Sequence, residues 1–209
     1  KITRVFDRRL GREVAVKETL AESLRARFER EVRITAQLQH PALWSGWGVR
    51  TMSTLDAGYE PDSYHCGSVW PHDTAIAIAG IARSDAAAAD RLAQGLIDAA
   101  AHLDGHLPEL FSGADRLQDA GEQGAADAAP MRVDAACEPQ AWAAAAPLLV
   151  LRTVLGLVSD ADSGALRARS DAAPAWIAGT NWRGVHALGA RWDVSVDAAG
   201  AVTVVRAPD

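Results

Sequence analysis

A mainly α-helical chain, with a β-hairpin at either end, is what the sequence predicts, and three observations predict it. Two long runs, 74–103 and 140–158, are rich in Ala and Leu, the strongest helix formers. A charged stretch, 22–39, spaces Leu24, Phe28, Ile34 and Leu38 at near-helical intervals among Arg and Glu. Alternating β-branched residues are confined to the two ends, 2–16 and 192–205.

The elements follow in order. Residues 2–16 place a charged turn, Asp7-Arg8-Arg9-Leu10-Gly11, between two strand-like runs, which reads as a hairpin. The amphipathic helix ends at His40-Pro41, because proline cannot continue it. Composition then changes abruptly to a polar stretch of Gly and turn residues bearing Trp44 and Trp47, so the predicted division is 1–43 and 44–209. Gly80, Ser84-Asp85 and Gly105 punctuate the first Ala-rich run. Between the two runs, residues 112–137 form a long Gly/Ala/Asp-rich loop, a length that marks an active-site edge or a disordered segment. Near the end, Trp192, Val194 and Val196 alternate up to Ala198-Ala199-Gly200, and Val202, Val204 and Val205 follow as the second arm of a hairpin.

Composition limits the function classes. At 209 residues and 49 % hydrophobic, the chain holds enough apolar material for one packed core, or for one core plus a small second unit, which argues against a disordered chain. The formal charge of -6, without a basic stripe, argues against a nucleic-acid partner. The longest apolar run, 141–151, is interrupted by Pro147 and falls short of the ~20 residues a bilayer crossing needs, so no membrane partner is expected. Cys66 and Cys137 make neither a disulfide framework nor a metal-ligand pattern, which fits a reducing cytoplasm; no metal and no cofactor are expected. The chain opens on Lys1 and strand-like residues, which reads as a fragment.

Val14-Ala15-Val16-Lys17, then a helix carrying Arg30-Glu31-Val32 and closing on Leu38-Gln39-His40-Pro41, resembles the small lobe of bacterial serine/threonine protein kinases over about the first 43 residues. The resemblance implies that Lys17 and Glu31 are a vestigial ATP-site pair, the carboxylate steadying the cation that would clamp phosphate. No Gly-rich phosphate loop, His-Arg-Asp or Asp-Phe-Gly segment accompanies them in the sequence, so phosphoryl transfer is not expected. The plain alternative for the pair is a surface charge contact.

The string Tyr64-His65-Cys66-Gly67-Ser68-Val69-Trp70-Pro71-His72-Asp73 gathers aromatic, imidazole and carboxylate groups just ahead of a helix. Saccharide sites need these functions: an aromatic face for the apolar side of a pyranose, and paired donors and acceptors for its hydroxyls. The same residues fit a Trp-anchored helix start with Asp73 serving its amides. The string resembles a segment of bacterial amylo-α-1,6-glucosidases and glycogen-debranching-type proteins. Trp44-Ser45-Gly46-Trp47-Gly48-Val49-Arg50-Thr51, Leu107-Pro108-Glu109-Leu110-Phe111 and Cys137-Glu138-Pro139-Gln140-Ala141-Trp142-Ala143-Ala144 agree with that family in the same order.

That resemblance implies a partial (α/α)6 toroid with a C-terminal hairpin, and inverting hydrolysis of α-1,6-glucosidic linkages with Glu109 as general base. On the sequence alone, an exposed loop glutamate is the favoured reading of Glu109. Its apolar neighbours Leu107, Pro108, Leu110 and Phe111 suggest partial desolvation, and it should face the same cavity as the Trp/His platform. The implied sugar contacts are Tyr64, His65, Trp70, His72, Asp73, Gln140 and Trp142. Composition alone reads Gln140 as structural and Trp142 as a plug between close helices. Cys66 stands where the family has Asn, which removes an amide from the subsite.

Residues after Trp44 supply roughly five or six helices at ~10–14 residues each, about half of a toroid. The general acid that inverting hydrolysis requires would lie outside the chain. The expected partner is an oligo- or polysaccharide of the α-glucan class, with self-association through exposed apolar helix faces. The competing expectation is a non-catalytic chimera, or a truncated kinase-related module, joined at the Leu43/Trp44 switch.

Overall fold

The alternation at both ends of the sequence becomes antiparallel pairing in the structure. The computed structural model describes residues 2–7, 12–17, 41–116, 129–160, 162–169 and 172–208. The chain divides into two compact units, residues 1–39 and 40–209. In the first, β1 (Ile2–Asp7) pairs antiparallel with β2 (Arg12–Lys17), in a register that sets Val5 opposite Val14 and Ile2 opposite Lys17. Lys17 is therefore the last residue of β2. The expected helix over 22–39, and Glu31 with it, lies outside the described residues.

The second unit opens on one turn of 3-10 helix, Pro41–Leu43, and continues as a ladder of single bridges rather than an α-helix. Ser45 tightens the first turn, its hydroxyl accepting the amides of Trp47 (3.1 Å) and Gly48 (3.2 Å) while Trp44 bridges to Val49. Arg50 then bridges to Val69, Val69 to Phe111, and Phe111 to Arg132, which brings four distant segments side by side. Val69 and Phe111 at its centre are fully buried. Their burial supplies the apolar driving force that brings such remote segments together.

Three helices pack behind this ladder. Pro71 opens α1 (Pro71–Ile81), where its missing N–H leaves nothing unsatisfied. Asp85 caps α2 (Ala86–His102) by accepting the Ala88 amide at 2.9 Å. Gln140 caps α3 (Ala141–Val154), taking the Ala143 amide at 2.8 Å. Helix α1 packs against both α2 and α3. Small buried residues, Ala75 on α1, Ala93 and Ala99 on α2, Ala143 and Ala146 on α3, allow the close approach. Gly95 on α2 sits so near the chain that an added Cβ would lie 2.4 Å from the Gly46 carbonyl oxygen.

After α3 the period switches from helical to two. Strands β3 (Leu157–Asp160) and β4 (Ala165–Ala168) make a hairpin, and β5 (Asn181–Ala187), β6 (Ala190–Val196) and β7 (Val202–Arg206) an antiparallel meander in sequence order. An irregularity between Trp182 and Val185 is held where Asp193 accepts the Gly184 amide at 2.8 Å, with Gly184 at φ 68°. Leu155, Ala173, Ile177, Val194 and Val196 form the core beneath this meander, and Trp176 ties it back to α2 through Asp90 (2.5 Å).

These elements correct the expected fold class. Among the described residues there are three α-helices, and residues 40–209 carry two small open antiparallel sheets, so the unit is a small mixed α/β domain and not a partial (α/α)6 toroid. The physical reason is local. Residues 44–69 are too rich in Gly, Ser and turn formers to hold a helix, and 157–206 alternate β-branched residues between tight glycine turns. The counted helices fall to three because the chain commits those two stretches to bridges and strands. Among the described residues, no helix is long and apolar enough to cross a membrane.

Candidate functional site

The turn 64–70 is fixed from inside before any ligand is considered. The Trp70 indole N–H donates to the Tyr64 carbonyl (3.0 Å) and lies 3.2 Å from the Ser68 hydroxyl, which itself donates to the Tyr64 carbonyl at 2.9 Å. The Gly67 amide donates to the Thr51 hydroxyl at 3.0 Å. Val69 and Phe111 exchange both backbone hydrogen bonds, at 2.9 and 3.0 Å, so the turn is welded to the segment carrying Glu109.

Five rings follow one another across this surface. Tyr64 meets His65 edge-on at 4.7 Å and Trp70 edge-on at 4.9 Å between centroids. His65 stacks on Trp70 at 5.5 Å with planes 6° apart. Trp70 reaches His72 at 5.5 Å, and His72 reaches Trp142 at 4.8 Å, both edge-on. The series ends in an indole that is 66 % exposed. Trp142 is thus not the helix plug that composition suggests: the buried face of α3 is Ala143, Ala146 and Val150, and position 142 falls beside it. His72 Nδ1, buried beneath the run, has no hydrogen-bond partner among the described residues.

Glu109 lies against the start of this run. Its backbone amide donates to the Cys137 carbonyl (2.9 Å) while its Oε2 accepts the Cys137 amide (3.1 Å), a reciprocal clamp; Gln140 Nε2 donates to Oε1 at 3.3 Å. The Tyr64 hydroxyl donates to the same carboxylate. The Cys137 amide, then Tyr64, hold the Glu109 carboxyl below the ordinary carboxylate range and outweigh the opposing effect of burial. The same hydrogen bond to Glu109 raises the Tyr64 phenol above its usual value. Gln140 serves two ends at once, capping α3 with its oxygen and steadying Glu109 with its nitrogen.

The structure therefore brings Tyr64, His65, Trp70, His72, Trp142, Glu109 and Gln140 into one connected group. Asp73 stands apart from the role of helix cap: it is exposed in the first turn of α1, 3.5 Å from His72 Nε2, and no side chain caps that helix. Cys66 and Cys137 are free thiols, the first half-buried and the second exposed. Sequence reasoning missed Arg50, Gly113 and Tyr59. Arg50 is buried, its Nε donating to the Gly113 carbonyl (2.6 Å), and the Tyr59 hydroxyl donates to that same carbonyl (2.9 Å). An arginine inside an otherwise apolar and turn-forming string was the available signal.

The expected glycosidase chemistry is corrected by this geometry. The toroid that would carry its funnel is absent among the described residues, and no three His, Cys, Asp or Glu side chains there are grouped to hold a metal ion. The Glu109 carboxylate is occupied by three protein donors that lower its pKa, which makes it a poorer proton acceptor and a firm structural anchor. The glycoside-hydrolase and debranching assignments fall with that scaffold.

The depressed carboxyl predicts a pH effect of definite sign. A group whose folded pKa lies below its unfolded value adds stability above the unfolded value and loses it as pH falls through the folded one. The contribution of Glu109 should therefore begin to fall below about pH 4.5 and be gone once pH drops below the lowered folded value, and Glu109→Gln should flatten that limb of the stability curve. Urea unfolding at a series of pH values, parent against variant, checks it; two parallel curves would remove Glu109 from the account. No protein-family model matches the chain, and a search of curated proteins finds no match either.

Proposed function

We propose that residues 40–209 form a non-catalytic saccharide-binding module, joined to a kinase-like hairpin unit that has no phosphoryl-transfer role. One observation carries this reading: the unbroken run of five rings from Tyr64 to Trp142, ending in an indole whose face is open. A pyranose offers an apolar face to stack on such an indole and a rim of hydroxyls for exposed polar groups beside it such as the Asp73 carboxylate. Free Cys66 and Cys137 support a reducing, cytoplasmic setting.

The test is direct titration of the full chain with maltotriose and with isomaltotriose, followed by calorimetry and by the indole N–H signals of Trp70 and Trp142. Binding should appear, with no sugar released. Trp142→Ala should weaken it about tenfold or more, equivalent to ~1.4 kcal/mol, and leave the melting temperature unchanged because the side chain is exposed. Absence of binding by the parent chain at millimolar sugar would overturn the proposal. So would an affinity indifferent to Trp142.

A further inference from the structure

On the side of α3 remote in sequence from the rings, its last two turns and the C-terminal strands enclose an open groove of about 280 Å³. Buried Leu155, Leu166 and Val194, with half-buried Trp182, give it an apolar lining. Its volume is nearly twice that of the ~150 Å³ engineered cavity that takes up benzene. The polar side chains among its lining are few: Arg152, Ser159 and His186 stand there, and none of the lining residues is acidic. Arg152 occupies the last turn of α3 and makes no ion pair among the described residues.

We infer that this groove is a binding site for a small amphiphilic carboxylate, its hydrocarbon tail against Leu155, Leu166, Val194 and Trp182 and its head group at Arg152. Charge decides the class of ligand. A carboxylate head can meet the exposed guanidinium at the lip, which a purely apolar occupant leaves to water, and a cation would meet it unfavourably. The head group gains an anion–guanidinium contact, strengthened by the fork geometry that arginine offers a carboxylate. His186 adds a ring nitrogen to the same lip. This site is independent of the ring surface, and neither proposal rests on the other.

The probes are butanoate, hexanoate and octanoate, titrated into the full chain, with octan-1-ol as the uncharged comparison. Affinity should tighten by up to about fourfold per added methylene until the groove is full. Arg152→Met keeps the alkyl stem and removes the charge. It should weaken octanoate by about two- to fivefold, the modest range fitting an exposed ion pair, and leave octan-1-ol unchanged. Equal loss of both ligands, or no dependence on chain length, would overturn the inference. So would a concentration-dependent dimer, seen by sedimentation, that excludes octanoate: the groove would then belong to a second copy of the chain.

Discussion

Arg50→Met is expected to lower the stability of residues 40–209 by about 3–5 kcal/mol, a large part of the ~5–15 kcal/mol that holds a domain folded. The Arg50 side chain is wholly buried. Its Nε donates to the Gly113 carbonyl at 2.6 Å, its Nη1 to the carbonyls of Trp44 (2.7 Å) and Ala42 (3.3 Å), and its Nη2 pairs with Asp115. One guanidinium thus ties two separate stretches of backbone, 42–44 and 113–115, at the place where the ladder of single bridges begins. Methionine fills similar space but returns no donor, so three carbonyls lose a charged partner together. Asp115→Asn should cost less than about 1 kcal/mol, because that carboxylate is 74 % exposed and water replaces what it loses. Urea unfolding followed by tryptophan fluorescence separates the two. A change within 1 kcal/mol for Arg50→Met would show that the ladder is held by its apolar residues alone.

The contrast between Arg50 and the helices explains what the sequence could and could not disclose. Local signals were readable: the Ala-rich runs became α1, α2 and α3, and the alternation at 192–205 became β6 and β7. Strands β3, β4 and β5 were not anticipated. β3 and β4 are only four residues each and β5 is interrupted by Gly184, and all three gain their identity only by pairing. The toroid expectation failed for a related reason. It extended a likeness of short strings to a whole architecture, whereas a fold is set by what the intervening residues can pack against. The ring cluster was legible as residues but not as geometry. Composition could gather Tyr64, His65 and Trp70 on one turn, yet the join to Trp142 and Glu109 depends on the Val69–Phe111 and Glu109–Cys137 bridges, which no periodicity encodes. The role of Glu109 was misjudged by the same gap, since its apolar neighbours in sequence concealed three donors arriving from elsewhere.

Gly113→Ala tests whether the ring surface depends on that backbone contact. A Cβ at Gly113 would stand 1.8 Å from the Gly67 carbonyl oxygen and 2.8 Å from its carbon. Both are backbone atoms, so no rotamer change relieves the clash, and the two segments must separate. Separation strains the bonds that meet there: the Gly113 amide to the Pro61 carbonyl (2.9 Å), and the Gly113 carbonyl with Arg50 and Tyr59. Overpacking and those hydrogen bonds together should cost about 2–4 kcal/mol. Gly67 lies inside the turn that carries Tyr64, His65 and Trp70, so the displacement should also shift the Trp70 indole N–H resonance, which reports the 3.0 Å bond to the Tyr64 carbonyl. Gly80→Ala supplies the opposing case. Gly80 is exposed on α1 with open space where the methyl would go, and removing a helical glycine there should stabilise by about 0.5–1 kcal/mol with the Trp70 signal unmoved. If Gly113→Ala instead melts like the parent with an unshifted Trp70 resonance, the turn is held by its internal hydrogen bonds, and the close approach to Gly113 plays no part in shaping the ring surface.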